Sequence, residues 1–345
     1  MELIQNKNIK ISQNISKDLE IYIKKENHSK IFILVDENTK KYCLNHIKLN
    51  NYHLIEIKSG ENNKNLESAN KIWEFLLTKK ADRKSLMINL GGGIITDIGG
   101  FTASTYKRGM EFINIPTTTL GMIDASIGGK TAINLNFHKN IIGTFNTPKK
   151  VFLYFPFLNT LKTEEYLNGL AEAFKHALLD NRQHYEFLKN NINNPQKISP
   201  IVIKSINFKD KTVKSDYKEN GKRKILNFGH TVGHALESYY KGNLRHGEAV
   251  ISGIVSALYL SVKKFNFDIS LQLEITNFLK EIYPLNIYTD FNNKEIINFI
   301  LNDKKNINGK IMEILLKNIG HPVYDFQITI EELNESLNYL KEIYK

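Results

Sequence analysis

The sequence predicts an α/β fold, with a doubly wound parallel-sheet domain over residues 1–160 followed by a mainly α-helical domain over residues 161–345. Three observations predict it. Short β-branched, apolar runs alternate with helical patterns through the first half, as a parallel sheet with crossover helices requires. Beyond residue 160 those runs fade and helical periodicity takes over. A chain of 345 residues, 41% of them hydrophobic, also holds material for about two ordinary cores.

In chain order the expected strands are KIFILV (30–35), YHLIEI (52–57), SLMINL (85–90), EFINIP (111–116) and VFLYF (151–155). Between the second and third, NLESANKIWEFLLTKK has helical spacing, with Leu66, Ile72, Trp73, Leu76 and Leu77 expected on one apolar face. In the second half Thr163 is expected to cap TEEYLNGLAEAFKHALLD, and NNINNPQKISP reads as an interhelical loop. Thr329 and Glu332 should form a capping box that opens a terminal helix striped by Leu333, Leu337 and Leu340.

Composition narrows the function classes. The uncharged stretch Ala249 to Val262 is shorter than the roughly 18–20 apolar residues that span a bilayer, so it should be a buried helix and no membrane partner is expected. The single cysteine, Cys43, excludes an intramolecular disulfide, and MELIQNKNIK lacks the basic start and apolar run of a secretory signal. A cytoplasmic location is expected. The net charge of +11 suits either nucleic acid or an anionic small molecule. The lysines run from end to end with no arginine-rich block and no aromatic-basic interleaving, so nucleic acid is not an expected partner.

Several constellations carry chemistry. SLMINLGGGIITDIGGF is an apolar strand running into Gly91, Gly92 and Gly93 and then a helix with Asp97, an arrangement in which backbone amides approach a pyrophosphate. It does not match GxGxxG. Upstream, Asp36 and Asn38 stand at the end of a predicted strand, Glu61 and Lys64 follow the next, and Thr117 and Thr118 follow another. Each is singly an ordinary loop or capping residue; their convergence on the ligand edge of one sheet carries the weight.

DASIGGKTAIN and HKNIIGTF bring Asp124, Lys130, Asn134, Lys139 and Asn140 into a short glycine-rich region suited to a phosphate or carboxylate. A P-loop is disfavoured, because Asp124 stands where the first glycine of GxxxxGK[ST] belongs. In GLAEAFKHALL, Glu172, Lys175 and His176 share a helical face, and Glu172 is flanked by apolar residues that predict burial. NFGHTVGHALESYYKGNLRH holds His230, His234 and His246, but Thr231 replaces the glutamate of HExxH, so a zincin-type protease is not expected. One carboxylate and two histidines suit zinc with an open coordination position. Spacing alone favours His230 with His234 and leaves open which two bind.

The runs GGGIITDIGGFTASTYKRG, IPTTTLGMIDASIGGKTAIN, HKNIIGTF, GLAEAFKHALL, NFGHTVGHALE and HGEAV together resemble the 3-dehydroquinate synthase family, from about residue 30 to 310. The resemblance implies a Rossmann-like NAD-binding domain joined to a helical metal-binding domain, an active site between them, and a homodimer. It places the metal, zinc or cobalt, on Glu172, His230 and His246. It places NAD on Asp36, Asn38, Glu61, Lys64, Gly91, Gly92, Gly93, Asp97, Thr117, Thr118, Lys139 and the loop Phe157, Leu158, Asn159 and Thr160. The substrate falls to Asp124, Lys130, Asn140, Lys175, Lys209, Glu219, Arg223, Asn227, His234 and one of Lys304 and Lys305. Arg108 matches an arginine that reaches the phosphate held by the neighbouring subunit.

The implied reaction belongs to the shikimate pathway of aromatic amino acid biosynthesis. It converts 3-deoxy-D-arabino-heptulosonate 7-phosphate to 3-dehydroquinate and phosphate by transient oxidation with NAD, phosphate elimination, re-reduction and intramolecular aldol closure. No residue is assigned as general base. One departure stands out: the family's usual DERE run is here DYKE, with Asp216 and Glu219 kept and Tyr217 and Lys218 new. The rival readings are another sugar phosphate cyclase, which shares cofactor and metal, and a metal-dependent polyol dehydrogenase, which shares the GGG loop but releases reduced cofactor.

Overall fold

The structure is a computed structural model that describes residues 4–136, 138–241, 243–285, 290–302 and 310–345. Its main sheet is built from β1 (Ile9–Ile11), β2 (Ile31–Asp36), β3 (Tyr52–Ile57), β4 (Leu86–Gly91), β5 (Glu111–Pro116) and β8 (Val151–Leu153). These run parallel in the order β1-β8-β5-β4-β2-β3. Between β5 and β8, β6 (Lys130–Leu135) and β7 (His138–Phe145) form a separate antiparallel pair.

Alternate residues of β2 serve opposite faces. Phe32 and Leu34 pack in one core with Ile72 and Leu76 of α3 (Leu66–Thr78) and Ile98 of α4 (Gly93–Thr105). Ile31, Ile33 and Val35 pack in the other with Ile15 and Leu19 of α1 (Ile15–Glu26) and with Cys43, which follows α2 (Glu37–Tyr42). A sheet covered on both faces explains why these strands read as continuous apolar runs. The α/β prediction holds.

The helical region comprises α5 (Thr163–Asp180), α6 (Arg182–Asn191), α7 (Ile198–Ser215), α8 (His230–Tyr239), α9 (His246–Phe265), α10 (Ile269–Ile282), α11 (Asn293–Leu301) and α12 (Ile330–Tyr344). An antiparallel pair, β9 (Ile311–Leu316) and β10 (Pro322–Ile328), lies among them. Two compact units result, residues 1–169 with 202–210 and residues 170–201 with 211–345. In the second, α9 packs against α8, β9 and α12, and its residues Ala249 to Leu258 are all buried, so a helix apolar all round is here a core helix. A Cβ on Gly253 would lie 1.7 Å from the Gly229 carbonyl oxygen, so the α8–α9 contact requires glycine there. No described helix is long and apolar enough to cross a membrane.

Local expectations met mixed outcomes. Thr329 and Glu332 make the capping box, and Leu333, Leu337 and Leu340 are buried. Thr163 is the first residue of α5 rather than its cap, since the Lys162 carbonyl already accepts from the Tyr166 N–H. On α3 the buried stripe is Ala69, Ile72 and Leu76, whereas Leu66 and Leu77 are 50% and 67% exposed. Positions i, i+3 and i+7 share a helix face, and Leu77 falls one step past it. The strand predicted over 151–155 ends at Leu153, where a 3-10 turn, Phe155–Thr160, takes over.

This packing predicts that Leu76→Ala lowers the unfolding free energy by about 2–5 kcal/mol, whereas Leu77→Ala shifts it by about 0.5 kcal/mol or less. Urea unfolding followed by circular dichroism checks the pair; equal losses would contradict the placement of α3.

Candidate active site

In the second unit the centre is a carboxylate. Glu172 on α5 has no exposed surface, and Lys175, one turn on, is 2% exposed. The two carboxylate oxygens face different partners. Oε2 pairs with the Lys175 ammonium, and His176 Nε2 stands 4.0 Å from it. Oε1 lies 3.3 Å from His246 Nε2 and 3.6 Å from His230 Nε2.

The far side of each imidazole is also engaged. His230 Nδ1 lies 3.1 Å from the Phe228 carbonyl oxygen, which only an Nδ1–H can satisfy, so the backbone anchors Nδ1 and Nε2 is the nitrogen turned to Glu172. His246 Nδ1 lies 3.5 Å from Oε1 of Glu237, a buried carboxylate on α8. A ligand histidine anchored through its other nitrogen by a carbonyl or carboxylate is the usual outer shell of a metal centre.

The donor set fits a divalent ion. The ligand atoms of Glu172, His230 and His246 all lie within 4.8 Å of one another. Tetrahedral ligands at zinc distances stand about 3.3 Å apart, close to both Glu172 separations. Burial works against a charged His246, yet its contacts with Glu172 and Glu237 override burial and raise its pKa to about 10. The cluster therefore favours an added positive charge. A second group, His234, Glu237 and His246, meets the same spacing and shares His246. It would use as a ligand the carboxylate that orients His246, and the His234 and His246 rings are 6.3 Å apart against 5.5 Å for His230 and His246.

Glu237 is absent from the sequence-based set, although a signal was present: it stands seven residues after His230, two turns along the same helix face.

Upstream of α8 the chain folds around Asp216. Its carboxylate accepts from the N–H groups of Asn220 at 3.0 Å, Gly221 at 2.7 Å and Arg223 at 3.1 Å. The Gly221 N–H is foremost in holding its pKa below the usual range. Glu219, in the left-handed region at φ 61°, accepts from Asn227 Nδ2 at 2.9 Å. The buried Arg223 guanidinium donates to the Tyr217 carbonyl. That contact goes to backbone, so the change from DERE to DYKE leaves it available.

In the first unit, predicted residues gather at the C-terminal ends of the adjacent strands β2, β4 and β5. Gly91 ends β4, Gly92 caps α4 and Gly93 opens it; Thr117 and Thr118 follow β5. Asp36 ends β2, and its Oδ1 caps α2 by accepting from the Thr39 N–H at 2.7 Å, while Asn38 is exposed on that helix.

Glu61 and Lys64 follow β3. The Lys64 ammonium is buried and donates to Asp97 and, at 2.6 Å, to Asn140 Oδ1. Burial opposes its charge, but the Asp97 and Glu61 carboxylates hold its pKa above the ordinary lysine value. Lys209 donates to the Asp124 carbonyl and to its Oδ1, both at 2.6 Å.

Other predicted residues are placed differently. Lys130 and Lys139 are exposed on the β6–β7 pair, and Arg108 is exposed at φ 66°. Phe157 is a core residue, edge-on to Tyr154 and His46, so in Phe157, Leu158, Asn159 and Thr160 only the later positions reach the surface. Lys304 and Lys305 lie outside the described residues.

Comparison with known proteins gives a single answer on family. The model for the 3-dehydroquinate synthase N-terminal domain matches residues 54–168 and that for the C-terminal domain matches residues 169–306. A 3-dehydroquinate synthase of Parabacteroides distasonis is 38% identical over 342 residues, covering 96% of this chain and 97% of the relative. Among solved structures, 2-deoxy-scyllo-inosose synthase complexed with carbaglucose-6-phosphate, NAD+ and Co2+ matches at TM-score 0.86 and 23% identity over 96% of each chain. The 2-epi-5-epi-valiolone synthase of Streptomyces hygroscopicus, with NAD+ and Zn2+ bound, matches at TM-score 0.85 and 23% identity over 99% of this chain and 98% of that one. These two likenesses concern the fold, and the matches over the length of the chain concern its kinship: the chain belongs to the 3-dehydroquinate synthase family.

Proposed function

We propose that the chain converts 3-deoxy-D-arabino-heptulosonate 7-phosphate to 3-dehydroquinate and phosphate, as a cytoplasmic homodimer using NAD and one zinc or cobalt ion per subunit. The observation that carries the reading is the buried Glu172 carboxylate with two histidine Nε2 atoms turned to one of its oxygens. Family membership supports the activity, and the NAD+ and metal of the related cyclases support the cofactors. When bound, NAD supplies a hydride acceptor restored within each turnover, and the metal supplies a Lewis acid for the reacting hydroxyl.

The protein's own part is binding and positioning. Glu172, His230 and His246 hold the metal, and Glu237 fixes the His246 tautomer. The amides of Gly91, Gly92 and Gly93 at the start of α4 receive the pyrophosphate. Asp36 and Asn38 take ribose hydroxyls, and Glu61, Lys64, Asp97, Thr117, Thr118, Lys139 and the loop positions Leu158, Asn159 and Thr160 complete that side, with Phe157 anchoring the loop from the core. Lys130, Lys175, Lys209, Arg223 and His234 offer cationic or donor groups to phosphate and carboxylate, while Asp124, Asn140, Glu219 and Asn227 orient hydroxyls. So many cations favour a phosphorylated acid over a neutral polyol.

Homodimer formation draws support from β7, which among the described strands pairs only with β6 and on which Ile141 and Phe145 are 46% and 45% exposed. Arg108 would then serve the partner's phosphate.

The purified protein with NAD and zinc or cobalt should release one phosphate per heptulosonate phosphate consumed, without accumulating NADH. Stoichiometric NADH would indicate a dehydrogenase, and phosphate release only from a different sugar phosphate would indicate a sister cyclase. Glu237→Gln should weaken zinc binding by about 10–100-fold in competition with a chromogenic chelator; unchanged affinity would remove Glu237 from the metal's support.

A further inference from the structure

Asn134, on β6, receives no role in the function proposed above, yet its carboxamide is engaged at both ends. Nδ2 donates to Glu61 Oε1 at 2.8 Å and to the Glu61 carbonyl at 3.2 Å. Oδ1 accepts from the Asn140 N–H at 2.9 Å. The Asn134 N–H donates to the Lys64 carbonyl at 2.7 Å, and Asn134 forms an isolated parallel bridge with Asn65. One residue thus ties the turn carrying Glu61 and Lys64 to the strand carrying Asn140.

The tie falls where the backbone needs help. Asn140 sits in the left-handed region at φ 54°, which asparagine tolerates better than most side-chain-bearing residues but in which local contacts still decide how firmly it is held. The Asn134 amide oxygen fixes its N–H, and Asn140 Oδ1 in turn accepts from Lys64 Nζ at 2.6 Å. Lys64 is also paired with Asp97 on α4. The path runs through polar contacts from Glu61 to Asn134, Asn140, Lys64 and Asp97, all within the first unit.

We infer that Asn134 is a positioning residue that couples the cofactor-side turn, Glu61 and Lys64, to the substrate-side Asn140, so that its loss weakens both NAD binding and substrate binding. The inference rests on the function proposed above for those residues. Only an amide serves both ends, because it carries a donor for the Glu61 carboxylate and an acceptor for the Asn140 N–H. Aspartate keeps the acceptor but sets a second carboxylate against Glu61, so it breaks one half of the link. Alanine breaks both.

The test measures NAD affinity directly, by isothermal titration of the metal-loaded protein, and KM for heptulosonate phosphate by phosphate release. Asn134→Ala should raise the NAD Kd and the KM each by about ten-fold, the order of one lost polar contact, with zinc content unchanged. Asn134→Asp should raise the NAD Kd by a similar factor and leave KM within about two-fold. A rise in only one parameter for Asn134→Ala, or in neither, overturns the coupling; should Asn134→Ala fail to fold, equal rises for Asn134→Asp do the same. A wild-type protein that binds NAD but releases no phosphate would refute the proposed function instead, and the NAD Kd values of the variants would still decide whether Asn134 supports the cofactor side.

Discussion

The helical unit is organised around a carboxylate that has lost all contact with solvent. Removing an ionised carboxylate from water costs several kcal/mol even after the protein relaxes, so Glu172 must be met by compensating charge and hydrogen bonds. Lys175 comes from the same helix, His230 from the start of α8, and His246 from the start of α9. Gly229, which caps α8, lies against Gly253 in the middle of α9, so the two helices that carry the histidines pack closely. The packing of the core and the geometry of the site therefore have one cause. A side chain at Gly253 would meet the Gly229 carbonyl and push α8 and α9 apart, and with them the histidines they carry.

A related constraint shapes the sheet unit. Lys64 is buried beside Asp97, and the pair is tolerated because Asn140 accepts a further hydrogen bond and Glu61 adds negative charge nearby. These residues come from three segments, the turn after β3 (Glu61 and Lys64), α4 (Asp97) and β7 (Asn140). Polar groups placed in this way cost stability unless all are satisfied, but they fix the relative positions of loops that apolar packing alone would leave adjustable. Such fixed positions are what a site acting mainly by binding and orientation requires.

Much of the fold was legible because a sheet buried on both faces writes itself as apolar runs. IFILV, LMINL and FINI lie within β2, β4 and β5. The β6–β7 pair was hidden for the opposite reason. HKNIIGTF is a largely solvated strand and KTAINL is half buried with polar residues among its apolar ones, so neither shows a continuous apolar run and their lysines and neighbouring glycines read as a binding loop. The β9–β10 pair follows a long helical stretch and has only one apolar strand, which cannot be told from a short helix by periodicity. β1, three residues long, carries too little pattern to detect.

The site shows the same division. Helical spacing does place the His230 and His234 rings close, at 5.1 Å, but proximity of rings says nothing about which nitrogen faces a carboxylate fifty-odd residues away in sequence. The partnership of His230 with His246 and Glu172 is a tertiary fact, reached from sequence only through family resemblance. Zinc content of the purified variants His246→Ala and His234→Ala, measured by mass spectrometry after identical metal loading, tests it most directly. His246→Ala should lose its zinc while His234→Ala retains about one ion per chain; zinc lost from His234→Ala and kept by His246→Ala would show that the ligand set is different.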